Sequence, residues 1–310
     1  MTGIPSTPAN TAHSNDAAEE PSRPVCSVIV PVYNHWGLVP HLLRCLRAQT
    51  LAQESFEVLL VDNGSTDYEP PQSLPANVRI LNCETPGSYA ARNGGIEAAA
   101  GDWLAFTDAD CRPDPRWLEA MLARAQQEGR MALLAGTVEM YTDSARPNAY
   151  QIYDLIRGIP QAHYVSRGYA ATANLLVHRS VMEMVGGFDA TRYSGGDTAF
   201  CRRACASGYS IHLVCEAVVR HPARHSWGEV VSKARRIKGG QLLSGSKRMR
   251  GYWVLRTLMP PLHLYYRYAM AGQYSLRYRV IALAVQSRLW GHELREMFRL
   301  LIRPACRERK

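Results

Sequence analysis

The chain has 310 residues, of which 46% are hydrophobic and 20% are charged. This composition is typical of a globular protein with a substantial core, and it excludes a disordered, collagen-like or disulfide-knotted chain. The formal net charge of +9 is concentrated at one end. Residues 1–229 carry 18 Arg, no Lys and 24 Asp and Glu, whereas residues 230–310 carry 18 Lys and Arg and three Glu. The last quarter of the chain therefore favours an anionic partner, either phosphate groups or a lipid surface.

Targeting and redox signals favour a cytoplasmic protein. Residues 1–24 are rich in Pro, Ser, Thr, Ala and Asn and contain no apolar stretch, so we expect a disordered leader and not a signal peptide. A helix that spans a membrane needs about 20 consecutive apolar residues. The sequence contains no such run, so no spanning helix is predicted. The eight cysteines are scattered without a C-x-x-C pair, which argues for a reduced compartment and against zinc.

Strands and helices alternate through the first half of the chain. Apolar, β-branched runs predict strands over residues 25–32, 56–61, 78–82, 103–107 and 131–140. The spacing of apolar residues predicts helices over 38–49, 89–100 and 115–129. Gly101 is expected to end the second of these helices as its C′ residue. The alternation predicts an α/β fold with a mainly parallel sheet flanked by helices.

Polar side chains follow three of the predicted strands, namely Asn34, Asp62, and the pair Asp108 and Asp110. In open α/β sheets, ligands bind beyond the carboxyl ends of the strands, so these side chains are expected to converge on one cleft. The alternative is that each is only a turn former, since Asp, Asn and Gly are common after strands. Their joint placement favours a site.

The Asp108-Ala109-Asp110 triplet indicates the ligand chemistry of that cleft. Neither G-x-G-x-x-G after the first strand nor G-x-x-x-x-G-K-[ST] anywhere is present, so the dinucleotide-binding and P-loop folds lose their main support. Asp108 and Asp110 offer two hard oxygen ligands, which suit magnesium or manganese better than zinc. Magnesium commonly bridges a carboxylate to substrate phosphates, so the pair could hold an anionic ligand through a metal.

Five segments, taken in order, resemble the family 2 glycosyltransferases: VCSVIVPVYN, FEVLLVDNGSTD, GSYAARNGGIEAAAGDWLAFTDADCRPDPRWLEAM, GGFD and GGDTAFCRRACASGY. The resemblance covers about residues 25–240 and implies a GT-A fold. It implies a nucleotide-sugar-binding half over 25–140 and an acceptor-binding half over 141–240, before a basic helical extension over 241–310. It also implies a metal-bound nucleotide diphosphate sugar as donor and inversion at the anomeric carbon.

The resemblance implies donor-side roles for individual residues. Those expected to lie against the nucleotide base are Pro31, Val32, Tyr33 and Asn34. Asp62 would accept a hydrogen bond from the base, which is expected to be uridine, and Arg92 would lie near the nucleotide. Asp108 would approach the ribose, and Asp110 would bind the metal across the diphosphate.

Two further residues receive roles from the resemblance. Asp197 stands where the family has its catalytic base, although Gly196 precedes it where many members have Glu. His221 matches a position that in some relatives contacts the metal or the diphosphate. Simpler interpretations also fit, because Asp197 could be only a helix N-cap and a lone His is often structural.

An inverting glycosyl transfer needs few protein groups. A metal and Arg92 can neutralise the leaving diphosphate, and one carboxylate within reach of the acceptor hydroxyl can act as base. A retaining reaction would need a second carboxylate as nucleophile, for which the sequence offers no clear candidate. We predict transfer from a UDP-sugar to a hydroxyl of a glycan or lipid-linked acceptor. The alternative is a non-catalytic sugar-nucleotide-binding or membrane-associated scaffold of the same fold.

The predicted extension over 241–310 mixes arginines with Tyr and Trp, and a helix is predicted over 275–302. A basic amphipathic helix with aromatic flanks suits anionic lipid, which predicts a peripheral position on the inner face of the membrane. Nucleic acid is the competing anionic partner, but no nucleic-acid-binding motif is present, so none is expected. A third interpretation is that the helices pack on the catalytic domain and only expose their arginines.

Overall fold

A computed structural model describes residues 23–192, 194–243 and 246–302. The predicted leader over 1–24, apart from its last two residues, lies outside the described residues, as does the end of the predicted extension over 303–310. Within the described ranges, no helix combines the length and the apolar character that crossing a membrane requires.

A mixed sheet of eight strands forms the centre of the described part of the chain. The strands are β1 Cys26–Val32, β2 Phe56–Asp62, β3 Val78–Asn82, β4 Trp103–Phe106, β5 Arg112–Pro113, β6 Ala132–Tyr141, β7 Leu175–His178 and β8 Ser210–Pro222. Their order in the sheet is β3-β2-β1-β4-β7-β6-β8-β5. The β3-β2-β1-β4 part is parallel, and β7 is antiparallel to both of its neighbours. The five predicted strands are confirmed to within one residue at each end.

Helices cover both faces of the sheet. In the described ranges they are α1 Val39–Arg47, α2 Ser88–Ala98, α3 Trp117–Glu128, α4 Ala149–Arg157, α5 Gln161–Val165, α6 Arg179–Val185, α7 Gly196–Ala206, α8 Trp227–Leu243, α9 Lys247–Leu258, α10 Leu262–Ala269 and α11 Leu276–Ile302. The three helices predicted in the first half correspond to α1, α2 and α3. Helices α1 and α3 contribute to the core on one face, whereas α2, α6 and α7 contribute to the core on the other.

The continuous apolar runs of β1 and β2 follow from burial on both faces. Successive side chains of a strand point to opposite faces. Val28 accordingly packs in one core with Leu42 of α1, whereas Ile29 packs in the other core with Phe200 of α7. A strand covered on both sides is mainly apolar, as is typical of parallel sheets. The buried Ser27 of β1 donates a hydrogen bond of 2.7 Å to Glu57 of β2, so these two polar groups satisfy each other.

Gly101 has a different role from the predicted one. Helix α2 ends at Ala98 with Ala99 as its cap, so the prediction that Gly101 is the C′ residue is wrong. A Cβ atom on Gly101 would lie 2.6 Å from the carbonyl carbon of Cys26 and 2.7 Å from the nitrogen of Ser27. Glycine is needed here because the chain entering β4 passes directly against the backbone of β1.

The C-terminal helices form a separate core with α4. Ile152 of α4, Val230 of α8, Tyr268 of α10 and Leu289 of α11 are buried together. The described part of the predicted basic extension is thus helical and packed against the rest of the chain. The predicted boundary at residue 240 lies inside α8, and the division of the chain into domains stays a prediction.

Candidate active site

Asn34 ties the loop after β1 to the loop after β2. Its backbone has φ of 53°, a left-handed conformation that Asn adopts more readily than most residues. Its Oδ1 accepts hydrogen bonds from the nitrogen of Thr66 at 2.8 Å and from Oγ1 of Thr66 at 3.1 Å. Its own N–H donates to Oγ of Ser65 at 3.0 Å. The two loops therefore form one rigid edge of the cleft.

The residues predicted to lie against the nucleotide occupy the carboxyl end of β1. Val32 is in register with Asp62 on β2 and is fully buried. Pro31 is half-buried. The side chain of Tyr33 is exposed, so it is the member of this run best placed to contact a ligand directly.

The carboxylate of Asp62 is held in place by three hydrogen bonds. Oδ1 accepts from Nε1 of Trp36 at 2.7 Å. Oδ2 accepts from the backbone N–H groups of Gly64 at 3.0 Å and Ser65 at 3.2 Å. Burial alone would raise the pKa of Asp62, but hydrogen bonds from Ser65 and Trp36 outweigh burial and lower the pKa. The carboxylate is therefore ionised at neutral pH and can accept a further hydrogen bond.

Arg92 and Asp108 form an ion pair at the centre of the cleft. Nη2 of Arg92 donates to Oδ1 of Asp108 at 2.6 Å, and the arginine side chain is buried. Nη1 of Arg92 makes a long contact of 3.4 Å with the carbonyl of Ser88. The buried Nε of Arg92 has no hydrogen-bond partner among the described residues. This donor is available to an anionic ligand.

Four side chains converge at the carboxyl end of β4. They are Asp108, Asp110, Cys111 and His221, and their ligand atoms all lie within 4.8 Å of one another. Nε2 of His221 is 3.9 Å from Oδ2 of Asp110. This distance is too long for a hydrogen bond but is compatible with two ligands of one ion. The sequence predicted Asp110 and His221 as metal ligands, and the structure places them together; it also adds Cys111, which had no sequence signal.

The donor set of this cluster fits a hard divalent cation. Nδ1 of His221 lies 2.9 Å from the carbonyl oxygen of Pro222, so it carries the proton and leaves Nε2 free to bind a metal. Burial raises the pKa of Cys111 well above its ordinary value, and the negative charges of Asp110 and Asp108 raise it further. Sulfur is also a soft ligand, which a hard cation does not favour. The remaining donors are one imidazole and two carboxylates, and it is the carboxylates that suit magnesium or manganese.

Asp197 lies in the first turn of α7. The N-cap of this helix is Gly195, in a left-handed conformation, so the alternative that Asp197 is the N-cap is wrong. Oδ1 of Asp197 accepts from the nitrogen of Thr198 at 2.8 Å and from Oη of Tyr89 at 3.4 Å. Burial raises the pKa of Asp197, and the hydrogen bond from Thr198 and the charge of Arg92 only partly offset this rise.

The unusual Gly196 is explained by Tyr89. A Cβ atom at residue 196 would come within 2.6 Å of the Tyr89 ring. The ring stacks on Phe188 with a centroid separation of 5.8 Å. The aromatic side chain therefore fills the space that a Glu side chain at residue 196 would need to leave the helix. Tyr89 was missed by the sequence analysis, because the approach of α2 to α7 could not be foreseen.

A group of basic side chains next to the cleft was also missed. Asp154 of α4 accepts from Nη1 of Arg224 at 2.8 Å and from the nitrogen of Arg224 at 3.1 Å. Burial lowers the pKa of Lys233 well below its ordinary value, as do the nearby charges of Arg224 and Arg157. Neither Lys233 nor Arg157 forms a hydrogen bond or salt bridge through its side chain within the described residues. Such an excess of cations indicates a place for an anion.

Arg236, one turn further along α8, connects this basic group to the centre of the cleft. Its guanidinium interacts electrostatically with Arg224 and also with Tyr89, Asp108 and Arg92. Helix α8 thus places basic side chains beside Arg224 and also beside Arg92 and Asp108. The predicted site residues form two neighbouring sets. Asn34 follows β1 and Asp62 ends β2, and the larger set lies around β4, which is paired with β1.

The mixed α/β sheet, with the carboxylate–imidazole cluster after β4, is the framework on which the comparisons with known proteins can be read. The chain belongs to glycosyltransferase family 2, because residues 27–195 match the family model described as glycosyl transferase family 2. It is 38% identical over 226 residues to glycosyltransferase AglE of Haloferax volcanii, covering 71% of this chain and 73% of that protein. The predicted family and enzyme class are confirmed.

Two other relatives and one solved structure are informative. The pre-mycofactocin glycosyltransferase of Mycobacterium tuberculosis is 29% identical over 70% of this chain, which spans 46% of that protein. The N-acetylglucosaminyl-diphospho-decaprenol L-rhamnosyltransferase of Mycobacterium tuberculosis is 29% identical over 61% of this chain and 74% of its own length. The fold is similar to that of S. aureus TarS 1-349 in complex with UDP-GlcNAc, with a TM-score of 0.50, 15% identity, and coverage of 88% of this chain and 89% of that one. The predicted GT-A fold is confirmed.

Proposed function

We propose that this glycosyltransferase moves a sugar from a nucleotide diphosphate sugar to an acceptor hydroxyl in a single displacement that inverts the anomeric carbon. The observation that carries the proposal is the position of the Asp197 carboxylate. It lies within electrostatic range of Arg92 and Asp108, and it is not a member of the carboxylate–imidazole cluster. One carboxylate can therefore serve the acceptor while the others serve the donor.

On the donor side, Asp110 and His221 would hold a magnesium or manganese ion, and Asp108, in the same cluster, would contact the ribose. When bound, such an ion neutralises negative charge on the diphosphate. Arg92 supports this role with a buried Nε that has no partner among the described residues. A buried guanidinium facing the leaving diphosphate stabilises the charge that develops there.

The base-binding edge would be formed by Pro31, Val32, Tyr33 and Asn34 together with Asp62. Uracil presents an N–H donor, and the ionised carboxylate of Asp62 is an acceptor fixed by Trp36 and the turn after β2. This match supports UDP as the nucleotide. TarS, which shares the fold, is known in complex with UDP-GlcNAc.

The chemical step uses Asp197 as general base. The acceptor oxygen attacks C1 of the donor sugar from the face opposite the diphosphate. As the new C1–O bond forms, the C1–O bond to the diphosphate breaks and its electron pair leaves with UDP. The hydroxyl proton passes to the Asp197 carboxylate. The raised pKa of Asp197 makes it a stronger base than an exposed carboxylate.

The acceptor would be a glycan or a lipid-linked sugar, at the inner face of a membrane. The relative named as an N-acetylglucosaminyl-diphospho-decaprenol L-rhamnosyltransferase supports a lipid-linked acceptor. The basic C-terminal helices support peripheral contact with anionic lipid. Magnesium or manganese, UDP-sugar and such an acceptor complete the proposed set of ligands.

The experiment that tests this proposal is the Asp197→Asn substitution. Turnover should fall by about 100- to 10,000-fold, because general-base catalysis contributes rates of that order. UDP affinity, measured by calorimetry, should barely change, since the base contacts the acceptor. Asp102→Asn is the matched control, because Asp102 is an exposed carboxylate that pairs with Arg23 away from the cleft.

The stereochemical outcome is an independent readout. The anomeric coupling constant in proton NMR should show a β-linked product from an α-linked donor. Near-normal turnover of Asp197→Asn would remove Asp197 from the mechanism. A retained anomeric configuration would contradict the single displacement itself, and a wild-type protein that binds UDP without any transfer would favour the non-catalytic scaffold.

A further inference from the structure

An open groove of about 720 Å³ lies between α4, β6 and α10. It adjoins the candidate active site, because groove residue Met140 on β6 is in register with His221 on β8. Neighbouring strands lie about 4.8 Å apart. The groove therefore begins one strand away from the carboxylate–imidazole cluster. None of its lining residues was given a role above, apart from Arg157.

Two guanidinium groups line the groove. Arg157 and Arg267 both line it, and Nη2 of Arg267 donates to the carbonyl of Arg157 at 2.8 Å. Neither side chain forms a salt bridge with a carboxylate of the described residues. The acidic lining residue Glu139 is 3.5 Å from Nε of Arg220, outside the groove lining. Two adjacent arginines that form no salt bridge in the described residues match the charge and the oxygens of a phosphate group.

One wall of the groove is apolar, and this wall continues onto the surface. Tyr266 and Met270 line the groove. With Leu262 they form a row at intervals of four residues along α10 and its C-cap, Met270. Their exposed fractions are 68% for Leu262, 70% for Tyr266 and 64% for Met270. A contiguous exposed apolar row of this kind indicates a binding surface for an apolar ligand.

We infer that the groove binds the acceptor, and that the acceptor is an amphiphile in which a phosphate group joins a sugar to a long aliphatic chain. Arg157 and Arg267 would bind the phosphate. Tyr266 and Met270 would contact the chain, and Leu262 would guide it toward a lipid surface. The sugar would then extend past Met140 toward the cleft. This inference rests on the proposed function and specifies its acceptor.

The experiment measures binding of decyl phosphate, below its micelle concentration, by titration calorimetry of the full chain. Inorganic phosphate and decanol are the companion probes, since one lacks the chain and the other lacks the anion. Decyl phosphate should bind at least tenfold more tightly than either, because the arginines and the apolar wall act on the same molecule. Equal affinities for decyl phosphate and inorganic phosphate would overturn the inference.

Variants test the arginines and the apolar wall of the groove independently. Arg157→Gln should weaken decyl phosphate about tenfold, whereas Arg277→Gln, which removes an exposed arginine at the start of α11, should not. Met270→Ser should weaken decyl phosphate but leave inorganic phosphate unchanged. Because Met270 is exposed, this variant tests the groove even where Arg157→Gln does not fold. Equal losses in Arg157→Gln and Arg277→Gln would overturn the inference.

Two further measurements identify which idea fails. UDP binding to each variant tests the donor site alone, so normal UDP binding without decyl phosphate binding refutes the groove and leaves the proposed function standing. Flotation with phosphatidate vesicles tests bilayer headgroups as the source of the phosphate. If Arg157→Gln abolishes flotation, the arginines bind membrane lipid and the groove is not an acceptor site.

Discussion

Tyr89 links the donor and acceptor sides of the cleft through one side chain. Its Oη contacts Asp197, its ring lies against Gly196, and the guanidinium of Arg92 lies 5.8 Å from the ring centroid. Burial raises the pKa of Tyr89 to about 12, so the hydroxyl stays protonated at neutral pH and donates to the carboxylate. Tyr89 is therefore a positioning residue for the proposed base.

The Tyr89→Phe substitution tests this role through the pH profile. The hydrogen bond from Tyr89 lowers the pKa of Asp197, so its loss should raise that pKa. Since the base must be ionised, the acidic limb of kcat/KM should move to higher pH. Turnover should fall about three- to tenfold, as expected for a hydrogen bond worth roughly 0.5–1.5 kcal/mol.

The matched control for this substitution is Tyr252→Phe, which removes an exposed hydroxyl on α9. Its pH profile should coincide with that of the wild type. A Tyr89→Phe enzyme with reduced turnover but an unmoved acidic limb would show that Tyr89 only supports the packing of α2 against α7.

At the scale of elements, α8 is the helix that joins the candidate active site to the C-terminal core. Its buried face contributes Val230 and Ala234 to that core. Lys233 and Arg236, on the same helix, both lie beside Arg224. Arg236 also lies beside Asp108. The packing of α8 thus forces basic side chains together, at a cost that an anionic ligand would offset.

The free-energy cost of placing these basic side chains together can be measured at Lys233. Its pKa is lowered in the folded protein, so between this lowered pKa and about 10.5 the unfolded chain binds more protons and stability rises with pH. Lys233→Met should raise the free energy of unfolding by about 1–3 kcal/mol at pH 7. It should also reduce the rise between pH 7 and pH 9.

Urea denaturation of the wild type and of Lys233→Met at the two pH values checks this prediction. Lys247→Met serves as control, because Lys247 is exposed at the start of α9. A loss of stability in Lys233→Met, or an unchanged dependence on pH, would show that Lys233 has a favourable partner in the folded protein.

Local patterns predicted the elements of the first half because strands and helices there obey simple periodicities. β1 and β2 are mainly apolar, and the polar residues at and beyond their carboxyl ends mark the cleft. The order β4-β7-β6-β8 could not be predicted, because it depends on pairings between strands that are far apart in the chain. Gly101 shows the same limit, since its neighbour is β1 and not the preceding helix.

The sequence predicted those residues of the candidate site that lie in a recognisable local motif. Asp108 and Asp110 follow a strand, and His221 was matched by the resemblance; the structure brings all three together. Tyr89 and Lys233 were not predictable, because their importance arises from contacts between α2, α7, α4 and α8. No local pattern distinguishes such residues from ordinary helix positions.

At the scale of the whole molecule, charge and exposed apolar surface coincide. Within the described residues, the excess of basic side chains after residue 230 lies on α8, α9, α10 and α11, and α8, α10 and α11 pack on α4. The same helices carry a group of exposed apolar side chains on α9, α10 and the loop between them. They are Leu255, Leu258, Met259, Leu262, Tyr266 and Met270. The combination of basic and apolar groups on one surface is typical of proteins that bind at a lipid interface.

Vesicle flotation tests this surface as a membrane-binding face. The wild type should float with vesicles rich in anionic lipid and not with neutral vesicles, because each basic residue near an anionic surface contributes about 1 kcal/mol. At 1 M salt the Debye length falls to about 3 Å, so binding should be lost. The Leu255→Ser/Leu262→Ser double variant should float markedly less. Met184→Ser removes an equally exposed apolar side chain from α6 and should behave as the wild type. Flotation that ignores both lipid charge and the double variant would refute a membrane-binding face on α9 and α10.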